Sequence, residues 1–170
     1  CLCTRRQNEY ALINLGDVMQ INILPEYGKE YIDSLNIEGL VQFVLTEMNC
    51  PDKTDVTISF VTNDRIHELN KQYRGIDKPT DVLSFECDNV PFEDEDIDDA
   101  QEYELGDVII ATDVALKQTE EFGTTFEEEI SLLVTHGLLH LCGYDHIEAD
   151  EAEIMEALER KLLSSWSKQN

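Results

Sequence analysis

Thr135-His136-Gly137-Leu138-Leu139-His140-Leu141-Cys142-Gly143-Tyr144-Asp145-His146 holds three of the chain's four histidines. His136 and His140 are one helical turn apart, so a helix through this run projects both imidazoles from one face. Gly143 can end that helix in a left-handed conformation, letting the chain double back and bring His146 to the same point. A lone histidine on an apolar helix is usually a core residue, but three at i, i+4 and i+10 with a glycine at i+7 have metal-ligand spacing. Three nitrogen ligands leave the fourth position of a zinc ion open to water, which separates catalytic sites from closed structural ones. The run therefore predicts one zinc ion per chain on His136, His140 and His146, at the end of a central helix. Leu138, Leu139, Leu141 and Cys142 read as the packing around it.

Working outward, Thr125-Phe126-Glu127-Glu128 is a capping box that starts the histidine helix. Before it, Leu105 to Ala111 reads as a buried strand with a close approach at Gly106. Thr112 or Asp113 is placed to cap the next helix, and Gly123 to stop it. Upstream, Val18 to Leu24 and Asp55 to Thr62 have strand character, the second alternating Val56, Ile58 and Phe60 with polar residues. Helical spacing covers about Tyr31 to Met48 and, from a cap among Thr62, Asn63 and Asp64, runs to about Tyr73. Gly75 to Thr80 is a loop that feeds a strand from Asp81 to Glu86. After the histidines, Asp150 to Trp166 is amphipathic, with Ile154, Leu158, Leu162 and Trp166 on one side. This order predicts an α+β fold, a small mixed sheet with helices packed on it.

The 170 residues suit one catalytic domain, expected over 18–170, after an N-terminal extension at 1–17 that is expected to be poorly ordered. From Glu86 to Glu104 ten residues are acidic. Self-repulsion and poor burial there predict a mobile loop at about 87–104. No apolar stretch approaches the roughly 20 residues of a membrane span, so no membrane partner is expected. Five cysteines without a C-x-x-C pair argue against a disulfide framework, and reduced thiols fit a cytoplasmic location. The formal charge of −25 opposes a general nucleic-acid-binding surface. Yet Arg65, Lys71, Arg74 and Lys78 fall within fourteen residues, so a local basic patch can exist on an acidic body.

The ligand spacing is also that of the metzincin peptidases, in which a glutamate after the first histidine is the general base. Here that position is Gly137, which has no acid–base chemistry. The whole run His136 to His146 instead resembles the H-G-x-x-H-L-x-G-Y-D-H signature of the YbeY family of bacterial rRNA-maturation endoribonucleases. Leu69-Asn70-Lys71-Gln72-Tyr73-Arg74-Gly75-Ile76-Asp77-Lys78-Pro79-Thr80-Asp81-Val82-Leu83-Ser84-Phe85 is similar to a second block of that family, and Leu105-Gly106-Asp107-Val108 to a third.

This resemblance implies a zincin-like, zinc-dependent hydrolase of single-stranded RNA that acts in 16S rRNA 3′-end processing and ribosome quality control. It implies the small ribosomal subunit and its proteins as partners, and no DNA. The family's metal ligands carry over onto His136, His140 and His146, and its arginine onto Arg74, whose planar fork of donors suits negative charge building on a phosphate. His136 and Arg74 are thus the expected catalytic residues. Asp107, Asp145, Asp81 or a second water is the candidate base, and a ribose 2′-hydroxyl is an alternative nucleophile to metal-bound water. Asp145 is alternatively a partner that orients a ligand imidazole. A zinc peptidase or amidohydrolase and a non-catalytic ribosome-assembly factor are the competing readings.

Overall fold

Four short runs rich in β-branched residues form one sheet, and the segments between them are helical. The structure, a computed structural model, describes residues 19–87, 103–146 and 148–169. The strands are β1 (Gln20–Pro25), β2 (Thr54–Val61), β3 (Val82–Glu86) and β4 (Tyr103–Ala111). The helices are α1 (Lys29–Ile32), α2 (Ile37–Glu47), α3 (Asn63–Arg74), α4 (Thr112–Phe122), α5 (Phe126–Leu141) and α6 (Ala149–Trp166). In the order β1-β2-β4-β3, the first three strands run parallel and β3 is antiparallel to β4. The fold is therefore α+β with a mixed sheet, as expected.

Strand alternation divides the sheet into two faces. Val56, Ile58, Phe60, Val108 and Ile110 pack with α2, α5 and α6 in the larger core. Val61, Leu83, Ile109 and Ala111 pack with Ile66 and Leu69 of α3 in a smaller one. Helix α4 serves both, giving Ala115 to the first cluster while Val114 packs on the second. Helix α5 is central: Ile130, Leu133, Val134, Leu138, Leu139 and Leu141 are all buried. The expected capping box starts it, with Thr125 Oγ1 accepting from Glu128 N and the Glu128 carboxylate accepting from Thr125 N. Gly137 lets α5 lie close to the sheet, and Gly106 lets β3 lie close to β4. A Cβ on Gly137 would stand 2.5 Å from Val108 Cγ1, and one on Gly106, at φ 140°, would strike the Phe85 carbonyl.

Several expectations change. The helical stretch from Tyr31 to Met48 is two helices, because Asn36 caps α2 through Gly39 N at 3.2 Å and breaks the run. Neither Thr112 nor Asp113 caps α4; its N-cap is Ala111 at the end of β4, without a side-chain bond, and both residues lie inside the helix. Tyr103 and Glu104 begin β4 beside Thr54 and Asp55 instead of ending the acidic loop. Ile154 is 60% exposed, and α6 buries Met155 and Leu162. Cys87 is disulfide-bonded, against the expectation of reduced thiols. The N-terminal extension expected at 1–17 and most of the mobile loop expected at about 87–104 fall in 1–18 and 88–102, outside the described residues. Among the described residues no helix is long and apolar enough to cross a membrane.

Candidate metal centre

The last turn of α5 builds the site. His136 and His140 project from it together, and the helix ends in a double backbone clasp. Gly143, at φ 86°, donates its N–H to the His140 carbonyl at 2.9 Å, and Tyr144 donates to the Leu139 carbonyl at 3.0 Å. Glycine supplies the left-handed conformation without steric cost. The reversal returns the chain toward the helix end, and Asp145 Oδ1 accepts from His146 N at 2.7 Å, setting the backbone that carries the third imidazole. The ring centroids lie 4.7 Å (His136 to His140), 4.9 Å (His140 to His146) and 5.6 Å (His136 to His146) apart. One ligand nitrogen from each ring falls within 4.8 Å of the others.

The donor set fits a zinc ion. Tetrahedral bonds of about 2.0–2.1 Å place ligand nitrogens about 3.3 Å apart, and His136 Nε2 lies 3.2 Å from His140 Nε2. The opposite nitrogen of the His136 ring is engaged elsewhere. His136 Nδ1 donates to Glu159 Oε2 at 3.0 Å, and His140 is hydrogen-bonded to the Tyr144 backbone. The His136 bond fixes the tautomer that leaves its Nε2 lone pair turned toward His140 Nε2. Burial, then the neighbouring His136 and His146, hold the His140 pKa below the usual histidine value. The neutral form, which is the ligand form, is thereby favoured. His146 is exposed, whereas His136 and His140 are partly buried, so the tripod opens toward solvent on the His146 side.

Glu159 is the site residue that sequence reasoning missed. It lies on α6, 23 residues from His136, and its side chain is only 13% exposed, against 66% for Glu156 one turn earlier. The available signal was a carboxylate on the apolar side of α6, four residues after Met155 and three before Leu162.

The candidate bases separate cleanly. Asp81 is spent on structure: Oδ1 accepts from Val82 N and Thr80 Oγ1, and Oδ2 from Gln118 Nε2. Asp107 is on the wrong face, since its neighbour Val108 packs under Gly137 while Asp107 pairs with Phe85 on the α3 side. Burial and then Glu104 raise its pKa. Asp145 alone of the three is beside the imidazoles. Its observed contact is the His146 backbone and not an imidazole nitrogen, so the orienting carboxylate is Glu159.

Arg74 ends α3 on the far side of the edge strand β3 and is exposed. The two sides are close: Ser84 Oγ donates to the Gly137 carbonyl at 3.1 Å, and the next residue, Phe85, meets Tyr73 at 5.1 Å. No hydrogen bond or ion pair joins Arg74 to the triad among the described residues. His67, the fourth histidine, is bonded to Asp77 at 2.7 Å and takes no part in the site.

With this geometry in place, comparison with known proteins is decisive. The family model for endoribonuclease YbeY matches residues 25–167. The chain belongs to the YbeY family. A Thermoanaerobacter endoribonuclease YbeY (strain X514) is 40% identical over 153 residues, covering 85% of this chain and 96% of the relative. That of Listeria welshimeri is 37% identical over 155 residues, covering 88% and 96%. A Thermotoga maritima protein solved in solution superposes with a TM-score of 0.53 at 26% identity, covering 89% of this chain and 93% of its own. In this YbeY-family chain, the histidines that could hold a metal are His136, His140 and His146.

Proposed function

We propose that this YbeY-family chain is a zinc-dependent endoribonuclease that cuts single-stranded RNA in the maturation of 16S rRNA, acting in the cytoplasm on the small ribosomal subunit and with its proteins. One observation supports the metal chemistry above all others: the Nε2 atoms of His136 and His140 lie 3.2 Å apart, with His136 Nδ1 tied to Glu159. A zinc ion there supplies Lewis-acid polarisation of the phosphoryl group and activation of water.

The chain's residues do the rest. His136, His140 and His146 are the metal ligands, Glu159 holds His136 in its ligand tautomer, and Arg74 is the donor for charge on the phosphate. Asp145 stands beside the triad with one oxygen on the His146 backbone, the carboxylate best placed to take up a proton. The peptidase reading is disfavoured by space as well as chemistry. A side chain at residue 137 would enter the packing against Val108 and Ser84, where no base can serve the open side of the tripod.

The substrate is tested by incubating untagged protein with single-stranded RNA and, separately, with casein. RNA cleavage with intact casein is expected. Proteolysis without RNA cleavage would replace the nuclease with a peptidase, and inertness toward both, even with small ribosomal subunits added, would favour an assembly factor.

A further inference from the structure

On a body carrying a formal charge of −25, the end of α3 and its following loop are unusual. Lys71, Arg74 and Lys78 lie there with a single acid, Asp77, and that acid is already engaged. Its Oδ2 accepts from Lys71 Nζ at 2.8 Å and its Oδ1 meets His67 Nε2 at 2.7 Å, and these partners, Lys71 first, hold its pKa below the usual value. The loop is further pinned by buried Asn70, whose Nδ2 donates to the Lys78 carbonyl at 2.8 Å. Arg74 and Lys78 are left exposed, with no hydrogen bond or ion pair from their side chains among the described residues.

Adjacent to Arg74 in sequence, Tyr73 forms an aromatic pair on the α3 side of the sheet. Tyr73 is 41% exposed, and its ring meets Phe85 edge-on, with an interplanar angle of 70°. Phe85 belongs to the edge strand β3, and no described strand pairs with the outer edge of β3. The preceding residue, Ser84, touches the backbone of Gly137, the neighbour of His136. A half-exposed aromatic ring beside two uncommitted cations, packed on the strand whose Ser84 touches Gly137, has the composition of a single-strand nucleic-acid track, in which bases stack and phosphates are neutralised. The other exposed large hydrophobics, Tyr27, Tyr31, Phe122 and Ile154, have no such basic cluster in sequence around them.

We propose that Tyr73 is a positioning residue on which one base of the RNA strand stacks as the strand crosses the β3 edge, with Lys78 holding the phosphate on one side of that base and Arg74 the phosphate on the other, the one on which charge builds in the proposed cleavage. This rests on the nuclease reading, and the test keeps the two apart by measuring binding without cleavage. A single-stranded RNA carrying 2-aminopurine is titrated with chelator-treated protein, and fluorescence quenching reports stacking. Wild-type and Tyr73→Phe proteins should quench the probe alike. Tyr73→Leu, which keeps apolar cover on Phe85, should abolish the quench and weaken binding roughly tenfold, with an unchanged thermal unfolding midpoint. Arg74→Ala and Lys78→Ala should each lower the slope of log affinity against log salt by about 0.7.

Quenching by Tyr73→Leu equal to wild type, or no quenching by wild type at all, overturns the proposal. So does displacement of the RNA by polyglutamate as readily as by unlabelled RNA, because the patch would then be a general polyanion site. If the proposal holds but the metal-loaded protein leaves RNA uncut, the nuclease reading fails by itself.

Discussion

Replacing Glu159 by alanine removes the carboxylate that holds His136, and its consequence can be worked from the structure. The bond from His136 Nδ1 to Glu159 Oε2 is 3.0 Å long, and the two side chains are only 30% and 13% exposed, so water replaces the carboxylate poorly. Without it, His136 can adopt the tautomer that carries its proton on Nε2, turning an N–H toward the point where the Nε2 atoms of His136 and His140 meet. Loss of such an orienting partner typically costs about 10–100-fold in metal affinity, or about 1.4–2.7 kcal/mol at 1.36 kcal/mol per decade. Glu159→Ala should lose about 100-fold. Glu159→Gln, whose amide oxygen still accepts from Nδ1 without a charge, should fall near tenfold. The assay is competition for zinc against a chromophoric chelator, with circular dichroism to establish that α6 is intact. Wild-type zinc affinity in a folded Glu159→Ala protein would refute the reasoning and make the contact a packing accident of α6.

Gly137→Glu, which writes the peptidase base into the run, should lower stability by about 1–3 kcal/mol through overpacking against Val108 and Ser84, measured by urea unfolding, and should release no peptide from casein. Gly106→Ala should cost at least as much, because its Cβ meets the Phe85 backbone and residue 106 sits at φ 140°; the same unfolding assay checks it. Asp107→Asn should stabilise the fold at neutral pH, since burial raises the folded pKa above the ordinary 3.8. As pH rises through that value the unfolded chain releases its proton first, so wild-type stability falls until the folded pKa is passed. The advantage of the variant should therefore shrink as pH is lowered toward 3.8, and an advantage independent of pH would rule out this titration as its cause.

What could be read from the sequence was local. The capping box at Thr125 and Glu128, the helix stops at Gly123 and Gly143, and the one-turn spacing of His136 and His140 are each fixed by residues within a few positions of one another. The mixed α+β architecture followed from the order of such segments. Glu159 was hidden because its partnership with His136 exists only once α6 docks on α5. The same docking turns Met155 inward and leaves Ile154 in solvent, although hydropathy ranks isoleucine at least as apolar as methionine. Asp81 and Asp107 looked like bases because a carboxylate's hydrogen-bond partners and its face of the sheet are tertiary facts. Asn36 was overlooked since the apolar positions either side of it keep helical spacing, and only its bond to Gly39 N marks the break.

The central claim is that the three histidines hold the ion on which RNA cleavage depends. Its most direct test is to strip the protein with chelator, add back one equivalent of zinc, and follow cleavage of single-stranded RNA beside an identically treated His140→Ala variant. The account predicts that stripping abolishes cleavage, that zinc restores it in the wild type, and that the variant stays inactive. Cleavage by His140→Ala at the wild-type rate would contradict it.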